Sequence, residues 1–207
     1  MDIVDDKIYF AVVDSTGHGV PGALMSMIGT QLLNKAFTDK GITKPSDILN
    51  DVKNGIIKVL KQRGEFGEQQ DGFDAALCSW DRKSNILEYA GANNPIWIIK
   101  FNASNQDDII ELLPDRQPVG YYPGPQKEFT HHTYQLNEGD TIYLFSDGYA
   151  DQFGGATQLI RQKGGKKYKY AQLKSFLLSI RHQTMMEQCE LLKNEFEKWR
   201  GNPIYRC

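Results

Sequence analysis

A change of composition near the N-terminus gives the first indication of the fold, where residues 7–22 read Lys7-Ile8-Tyr9-Phe10-Ala11-Val12-Val13-Asp14-Ser15-Thr16-Gly17-His18-Gly19-Val20-Pro21-Gly22. The β-branched and aromatic run over 8–13 predicts a strand buried on both faces, and an acid ends it. A glycine-rich turn follows. Residues 23–37 then have the composition of a helix, which Pro21 is suited to begin. The stretch therefore predicts a strand, a turn and a helix in close succession.

The remaining pattern predicts two antiparallel sheets and three more helices. A second helix is expected from Pro45, because apolar residues such as Ile48, Leu49 and Val52 recur at helical spacing. The period then becomes that of strands, at 75–80, 86–90, 96–101, 109–113, 129–136 and 141–145. Short turns join these strands, and two helices follow at about 170–180 and 184–199. We expect an α+β fold, in which two antiparallel sheets pack together with helices on their outer faces.

Length and composition limit the class of protein. The chain has 207 residues, 24 Lys plus Arg against 26 Asp plus Glu, a net charge of -2 and 40% hydrophobic residues. This predicts one folded domain over residues 1–207 and excludes a nucleic-acid binder that relies on a bulk basic surface. Cys78, Cys189 and Cys207 lack a paired spacing, which favours reduced thiols. No membrane or signal segment is recognised, so a soluble, cytoplasmic protein is expected.

Two acids occupy the same kind of place in the pattern. Asp14 ends the strand over 8–13, and Asp147 follows Ile142-Tyr143-Leu144-Phe145-Ser146 and precedes Gly148. Carboxylates at strand ends, beside glycines that let backbone carbonyls approach, can form an oxygen-rich site for Mg²⁺ or Mn²⁺. The simpler interpretation is that each aspartate ends a strand and caps a turn.

Motifs along nearly the whole chain resemble one family in the same order. They are Asp14 to Ala23, Asp71-Gly72-Phe73-Asp74-Ala75-Ala76-Leu77-Cys78, Tyr89-Ala90-Gly91-Ala92-Asn93-Asn94-Pro95, Gln117-Pro118-Val119-Gly120, Gly139-Asp140 and Phe145-Ser146-Asp147-Gly148-Tyr149-Ala150-Asp151. Together they resemble the phosphatase domain of the SpoIIE and RsbU type. That domain is a bacterial branch of the metal-dependent PPM, or PP2C-like, protein serine/threonine phosphatases.

The resemblance implies an α-β-β-α sandwich and a site with two Mn²⁺ or Mg²⁺ ions. It implies that Asp14 is the bridging ligand, that the Ser15 carbonyl is the backbone ligand and that Asp147 is a further ligand. A water bridging the metals would attack phosphorus, without a phospho-enzyme. His18 would protonate the leaving group, although two extra residues separate Asp14 from Gly17, and a structural histidine that bonds the turn is the alternative.

The ends of the sequence depart from the family pattern. An expected Gly-Asp-Phe-Tyr-like strand before residue 1 and an expected Asp-Asp with a final strand after Glu197 are both missing. We therefore expect missing terminal strands, a hairpin leading to Ile8 and an incomplete ligand set that binds metal weakly. The family also usually carries an upstream sensor domain. A fragment, a wrongly assigned start or a decayed copy would each explain these departures.

Several other residues are assigned ordinary structural roles. Asp71, Asp74 and Asp151 are assigned to turns or to the surface. His131 and His132 must point to opposite faces of a strand, so they are ordinary sheet residues. The cluster Lys166-Lys167-Tyr168-Lys169 is expected to be a solvated loop, in preference to a site for an acidic partner.

The function implied by the resemblance is hydrolysis of a phosphoserine or phosphothreonine on a regulatory protein, such as an anti-sigma-factor antagonist. The alternative is a non-catalytic pseudophosphatase that binds a phosphoprotein without turnover. A nucleotide-binding domain is disfavoured, because the glycine turn lacks the spacing of a P-loop.

Overall fold

The computed structural model describes residues 2–4, 6–17, 19–63, 71–124, 127–155 and 164–201. In chain order the strands and helices are β1 (Asp2–Val4), β2 (Lys7–Ser15), α1 (Gly19–Thr38), α2 (Pro45–Val59), β3 (Gly72–Asp81), β4 (Ile86–Ala92), β5 (Ile96–Ile99), β6 (Ile109–Leu112), β7 (Val119–Gly120), β8 (His132–Gln135), β9 (Thr141–Leu144), β10 (Phe153–Gly154), β11 (Lys166–Lys167), α3 (Tyr170–Ile180) and α4 (Met185–Arg200). No helix among these residues is both long and apolar enough to cross a membrane.

The chain divides into two compact units. The first comprises Met1–Ile96 and Glu111–Asn137, and the second comprises Trp97–Ile110 and Glu138–Cys207. The prediction of a single domain over residues 1–207 stays a prediction.

A six-stranded antiparallel sheet forms the first unit, in the order β1-β2-β3-β4-β8, with β7 paired to one end of β3. The pairing of β2 with β3 is the longest and runs from Lys7 opposite Asp81 to Ser15 opposite Phe73. The predicted hairpin before Ile8 is present, because β1 pairs with β2 through Ile3 opposite Ile8.

Helices α1 and α2 cover one face of this sheet. Helix α2 begins at Pro45, as predicted, and its residues Ile48, Leu49, Val52 and Ile56 are fully buried. They belong to one apolar cluster with Phe73 and other residues of alternate positions on β3 and β4, namely Ala75, Leu77, Ala90 and Ala92. Period-two alternation in the strands and helical spacing in α2 thus point into the same core.

The other face of the sheet carries the intervening residues. Ala76 and Cys78 of β3 and Leu87 and Tyr89 of β4 are fully buried there. Burial raises the pKa of the Cys78 thiol and that of the Tyr89 phenol, so both stay neutral at ordinary pH. The sheet therefore buries residues on both faces of its central strands.

Strand β2 departs from the prediction that it is buried on both faces. Tyr9 is buried, whereas Ala11 and Asp14 are exposed and Val13 keeps 39% of its surface accessible. Among the described residues, β2 is next to the sheet edge, where its outer neighbour is the three-residue β1.

The second unit has a three-stranded sheet and its own apolar cluster. The sheet order is β6-β5-β9. Residues Leu173, Leu177, Leu178 and Ile180 of α3 pack in this cluster with Trp97 and four further buried residues, Ile99, Ala103, Ile109 and Tyr168. Mixed helices and antiparallel sheets confirm the predicted α+β class.

Two further local predictions differ from the structure. The strand expected over 129–136 begins only at His132, because the backbone N–H groups of Phe129 and Thr130 donate to the side chains of Asn50 and Asp115 instead of to a neighbouring strand. The solvated loop expected over 166–169 is wrong in part, because its three lysines are exposed as predicted but the segment is not a loop throughout. Its first two residues form β11, which pairs with β10, and Tyr168 is 2% exposed.

A close approach between α1 and β3 generates a stability prediction. Gly29 of α1 is buried, and a Cβ added there would lie 2.8 Å from Cε1 of Phe73. Gly29→Ala should therefore destabilise the fold by about 1 to 3 kcal/mol through overpacking, although alanine favours an open helix. Urea denaturation gives this value. The double variant Gly29→Ala/Phe73→Leu should cost less than the sum of the single changes, and strict additivity would contradict the proposed contact.

His131 supplies a second prediction. Its Nε2 lies 3.3 Å from Oε1 of Glu88, and burial lowers the pKa of His131 below its ordinary value of 6.5 despite the opposing charge of Glu88. The folded state then binds this proton less readily than the unfolded state does, so the free energy of unfolding should fall as pH drops below about 6.5. His131→Gln should remove this part of the pH dependence, whereas His182→Gln, on an exposed histidine, should retain it.

Candidate functional site

The glycine-rich turn after β2 is held against β3 by three hydrogen bonds at one point. The Thr16 backbone N–H donates to the Gly72 carbonyl at 3.0 Å, the Thr16 Oγ1 hydroxyl donates to the same carbonyl at 2.9 Å, and it accepts from the Gly72 N–H at 3.0 Å. Thr16 follows Ser15, which lies opposite Phe73, so these bonds extend the β2–β3 ladder into the turn. They set the position of the backbone that carries Ser15.

The same turn is tied to α1 on its other side. The hydroxyls of Ser15 and Ser26 are 2.9 Å apart, and Ser26 donates to the Gly22 carbonyl at 3.0 Å. Gly17 has a φ of +84°, and a Cβ on Gly22 would lie 2.9 Å from the Gly17 carbonyl oxygen. Glycine is thus required at 17 by backbone conformation and at 22 by close approach.

Asp14 and Asp74 form a pair that the sequence-based reasoning missed. They are direct partners in the β2–β3 ladder, so their side chains lie on the same face of the sheet. This is the face of Ala76 and Cys78, opposite to the one that α1 and α2 cover. The spacing from Asp74 to these buried residues was the available signal, but the partner strand and its register had to be known to use it.

Asn93 orients the Asp74 carboxylate. Its side-chain amide donates to Oδ1 of Asp74 at 2.7 Å. Asn93 has a φ of +58°, and its backbone N–H donates to the Asp115 carbonyl at 2.9 Å. A hydroxyl from Tyr89 donates to the Asn94 carbonyl at 2.7 Å and crosses the position where a Cβ on Gly91 would stand. The segment from Tyr89 to Asn94 is therefore a rigid support for this carboxylate.

Asp147 lies in the second unit, in an exposed turn two residues beyond Phe145. The Phe145 ring packs on Trp97 with centroids 4.3 Å apart. On the other side of the turn, the hydroxyl of Tyr149 donates to the Leu192 carbonyl at 2.8 Å. The Asp147 carbonyl accepts from the Asp151 N–H at 2.8 Å, which closes the turn. Two half-buried aromatic side chains, Phe145 and Tyr149, thus anchor the turn that carries Asp147.

Asp151 has a structural partner. Its carboxylate makes an ion pair with Lys167 of β11 at 2.5 Å. The backbone N–H of Lys169 also donates to the Ala150 carbonyl at 2.7 Å. This agrees with the assignment of Asp151 to a turn and gives the lysine cluster a structural role.

The predicted site residues are thus distributed over the two units. Asp14 and Ser15 lie at the end of β2 in the first unit, Asp147 lies after β9 in the second, and His18 lies outside the described residues. Searching only what the structure describes finds no group of three or more His, Cys, Asp or Glu side chains that could hold a metal ion. Carboxylate and carbonyl oxygens are nevertheless the donor types that Mg²⁺ and Mn²⁺ prefer, so the chemistry of Asp14, Asp74 and Ser15 fits these ions.

Comparison with protein families gives a match over almost the entire chain. The model of the family SpoIIE, stage II sporulation protein E, matches residues 4–205. The chain belongs to the SpoIIE family. A comparison with curated proteins found no match.

Solved structures agree with this family. The SiaA-PP2C domain of Pseudomonas aeruginosa is similar with a TM-score of 0.81 and 25% identity, over 99% of this chain and 74% of that one. The PP2C phosphatase domain of SpoIIE from Bacillus subtilis, with a fragment of its regulatory domain, has a TM-score of 0.68 and 17% identity, over 95% of this chain and 51% of that one. RsbX in complex with magnesium has a TM-score of 0.52 and 16% identity, over 88% of this chain and 78% of that one. The last two likenesses show the fold alone.

This SpoIIE-family chain therefore has the PP2C-like phosphatase fold predicted from its motifs. The family and fold assignments made from the sequence are confirmed. The roles assigned to Asp14, Ser15, His18 and Asp147 stay predictions.

The three bonds between Thr16 and Gly72 predict a clear effect of a small substitution. Thr16→Val keeps the side-chain shape but leaves the buried Gly72 N–H without its acceptor, so the free energy of unfolding should fall by about 1 to 3 kcal/mol. Thr16→Ser retains the hydroxyl and serves as the matched control. Equal urea midpoints for Thr16→Val and wild type would show that this hydroxyl does not hold the turn.

Proposed function

We propose that this chain is a metal-dependent protein serine/threonine phosphatase domain. Its substrate would be a phosphoserine or phosphothreonine of a regulatory protein in bacterial signalling. The observation that carries the proposal is the Asp14–Asp74 pair beside a glycine turn fastened to β3, in a chain that belongs to the SpoIIE family.

The proposed ligands of Mn²⁺ or Mg²⁺ are Asp14, the carbonyl of Ser15 and Asp147, as the resemblance implies. When bound, two such cations would supply an activated water and neutralise charge on the phosphoryl oxygens. The donors contributed by this chain are hard oxygens, which suits either ion. The magnesium complex of RsbX, a protein of the same fold, supports the choice of metal.

We assign Asp74 a place next to these ligands. Its carboxylate shares a face and a ladder position with Asp14, and the Asn93 amide holds one of its oxygens at 2.7 Å. A second carboxylate here adds negative charge beside Asp14, which favours a divalent cation over a monovalent one.

His18 is proposed to give a proton to the leaving serine or threonine oxygen. An imidazole suits this role because its ordinary pKa lies near neutrality. The neighbouring Gly17 and Gly22 give the turn its shape, and the Thr16 bonds hold its first residues in place.

The partner is proposed to be a phosphorylated regulatory protein, such as an anti-sigma-factor antagonist, in the cytoplasm. A net charge of -2 gives no general attraction for a phosphate group. Recognition would then depend on the bound metals and on local contacts around Asp14.

Activity assays with p-nitrophenyl phosphate test this proposal. Hydrolysis should require Mn²⁺ or Mg²⁺, and Asp14→Asn or Asp147→Asn should each reduce kcat by roughly 100-fold or more, because a metal ligand is lost. The matched controls are Asp39→Asn and Asp107→Asn, which remove one exposed aspartate from each unit. Metal-independent hydrolysis, or equal loss in the controls, would contradict the assignment.

A pseudophosphatase is the second candidate, because the described residues include no group of three or more side chains suited to a metal. Such a protein would bind a phosphoserine peptide and turn nothing over at any metal concentration. Calorimetry with the peptide, run beside the assay above, separates the two functions. Binding that survives Asp14→Asn together with absent turnover in the wild type would establish the second.

A further inference from the structure

A cavity of about 420 Å³ lies on the first unit, away from the face that carries Asp14. Helix α2 contributes Asn50, Lys53, Asn54 and Ile57 to its lining, and Tyr121 and Lys127 also line it. This volume is large enough to admit a small organic molecule, and the cavity is open to solvent. None of these residues has a part in the function proposed above.

The distinguishing residue of the cavity is Lys53, which is only 5% exposed. Its Nζ donates to Oε1 of Gln117 at 3.0 Å and to the Lys127 carbonyl at 3.3 Å. Both acceptors are neutral. Across the described parts of the chain, no carboxylate lies within ion-pair distance of this ammonium group.

Burial of a lysine without a close counter-ion is unfavourable for its charged form. Burial accordingly lowers the pKa of Lys53, and the more distant Asp115 opposes this shift. Its ring contact is with Phe129, whose centroid is 5.7 Å away. An anion beside Nζ would add the missing negative charge and raise the pKa of Lys53 again.

The other charges at the cavity nearly cancel. Lys127 and Glu128 both line it, both are exposed, and they carry opposite charges. The positive charge of the buried Lys53 is therefore not balanced by a charge lining the cavity. Asn50 adds a donor, because its side-chain oxygen already accepts from the Phe129 N–H at 3.0 Å and its NH₂ group points to no partner among the described residues.

We propose that this cavity binds a small organic anion through a carboxylate or phosphate group placed against Lys53. The Ile57 and Tyr121 side chains offer apolar surface for the rest of the ligand. Lys127 strengthens binding from the rim and Glu128 weakens it. The site is independent of the proposed phosphatase reaction, and its test needs no enzymatic activity.

Titrations with inorganic phosphate and with citrate, followed by amide chemical shifts in a chelator-free buffer stripped of divalent metals and held at constant ionic strength, test the proposal. Saturable shifts should concentrate at residues 50–62 and 117–128. Lys53→Met should weaken binding roughly tenfold, as expected for loss of a charged hydrogen bond. A response to phosphate alone or to citrate alone supports the proposal and identifies which of the two groups the site takes.

Surface variants keep the test decisive if Lys53→Met does not fold. Lys127→Gln should weaken binding and Glu128→Gln should strengthen it, each by about two- to fivefold. Lys58→Gln, an exposed lysine of α2 outside the cavity, should change nothing. The proposal is overturned if neither anion gives saturable shifts, or if Lys58→Gln weakens binding as much as Lys127→Gln does.

Discussion

The antiparallel pairing of β2 with β3 is the constraint on which the first unit and its half of the candidate site depend. One register places Asp14 opposite Asp74, Ser15 opposite Phe73 and Thr16 at Gly72. Because side chains alternate between faces, a slip by one residue would move the carboxylates to the helix-covered face and the core residues away from it. The core and the acid pair therefore stabilise the same register.

Close backbone approaches extend this constraint around the unit. Gly72 is hydrogen-bonded to Thr16 of the glycine-rich turn. The same glycine lies opposite Gly120 where β7 pairs with β3. The Gln62 side chain then joins the two neighbouring segments, since it donates to the Asp71 carbonyl at 2.7 Å and accepts from the Tyr121 N–H at 3.1 Å. Gln62 also lines the cavity that contains Lys53. A short chain of hydrogen bonds thus leads from that cavity to the turn that carries Ser15.

Much of the fold was predictable because strong periodicity survives tertiary packing. The apolar face of α2 and the strand β3 are where the sequence places them. Predictions were wrong where side chains compete for backbone groups. The side chains of Asn50 and Asp115 accept from the N–H groups of Phe129 and Thr130, so β8 begins only at His132. Such competition depends on residues far away in sequence. The prediction for Lys166 and Lys167 was wrong for another reason, because these residues pair with Phe153 and Gly154 as a short strand.

The sequence by itself determined the family, the antiparallel α+β class and the strand-end position of Asp14, because ordered motifs and local periodicity carry that information within a few residues. Tertiary structure alone decided that Asp74 faces the same side as Asp14, since β2 and β3 are separated by two helices along the chain. It also decided that Lys53 is buried against neutral acceptors, because Gln117 and Lys127 come from a segment more than sixty residues later. Pairing register and long-range packing are properties of the folded chain, and no local pattern encodes them.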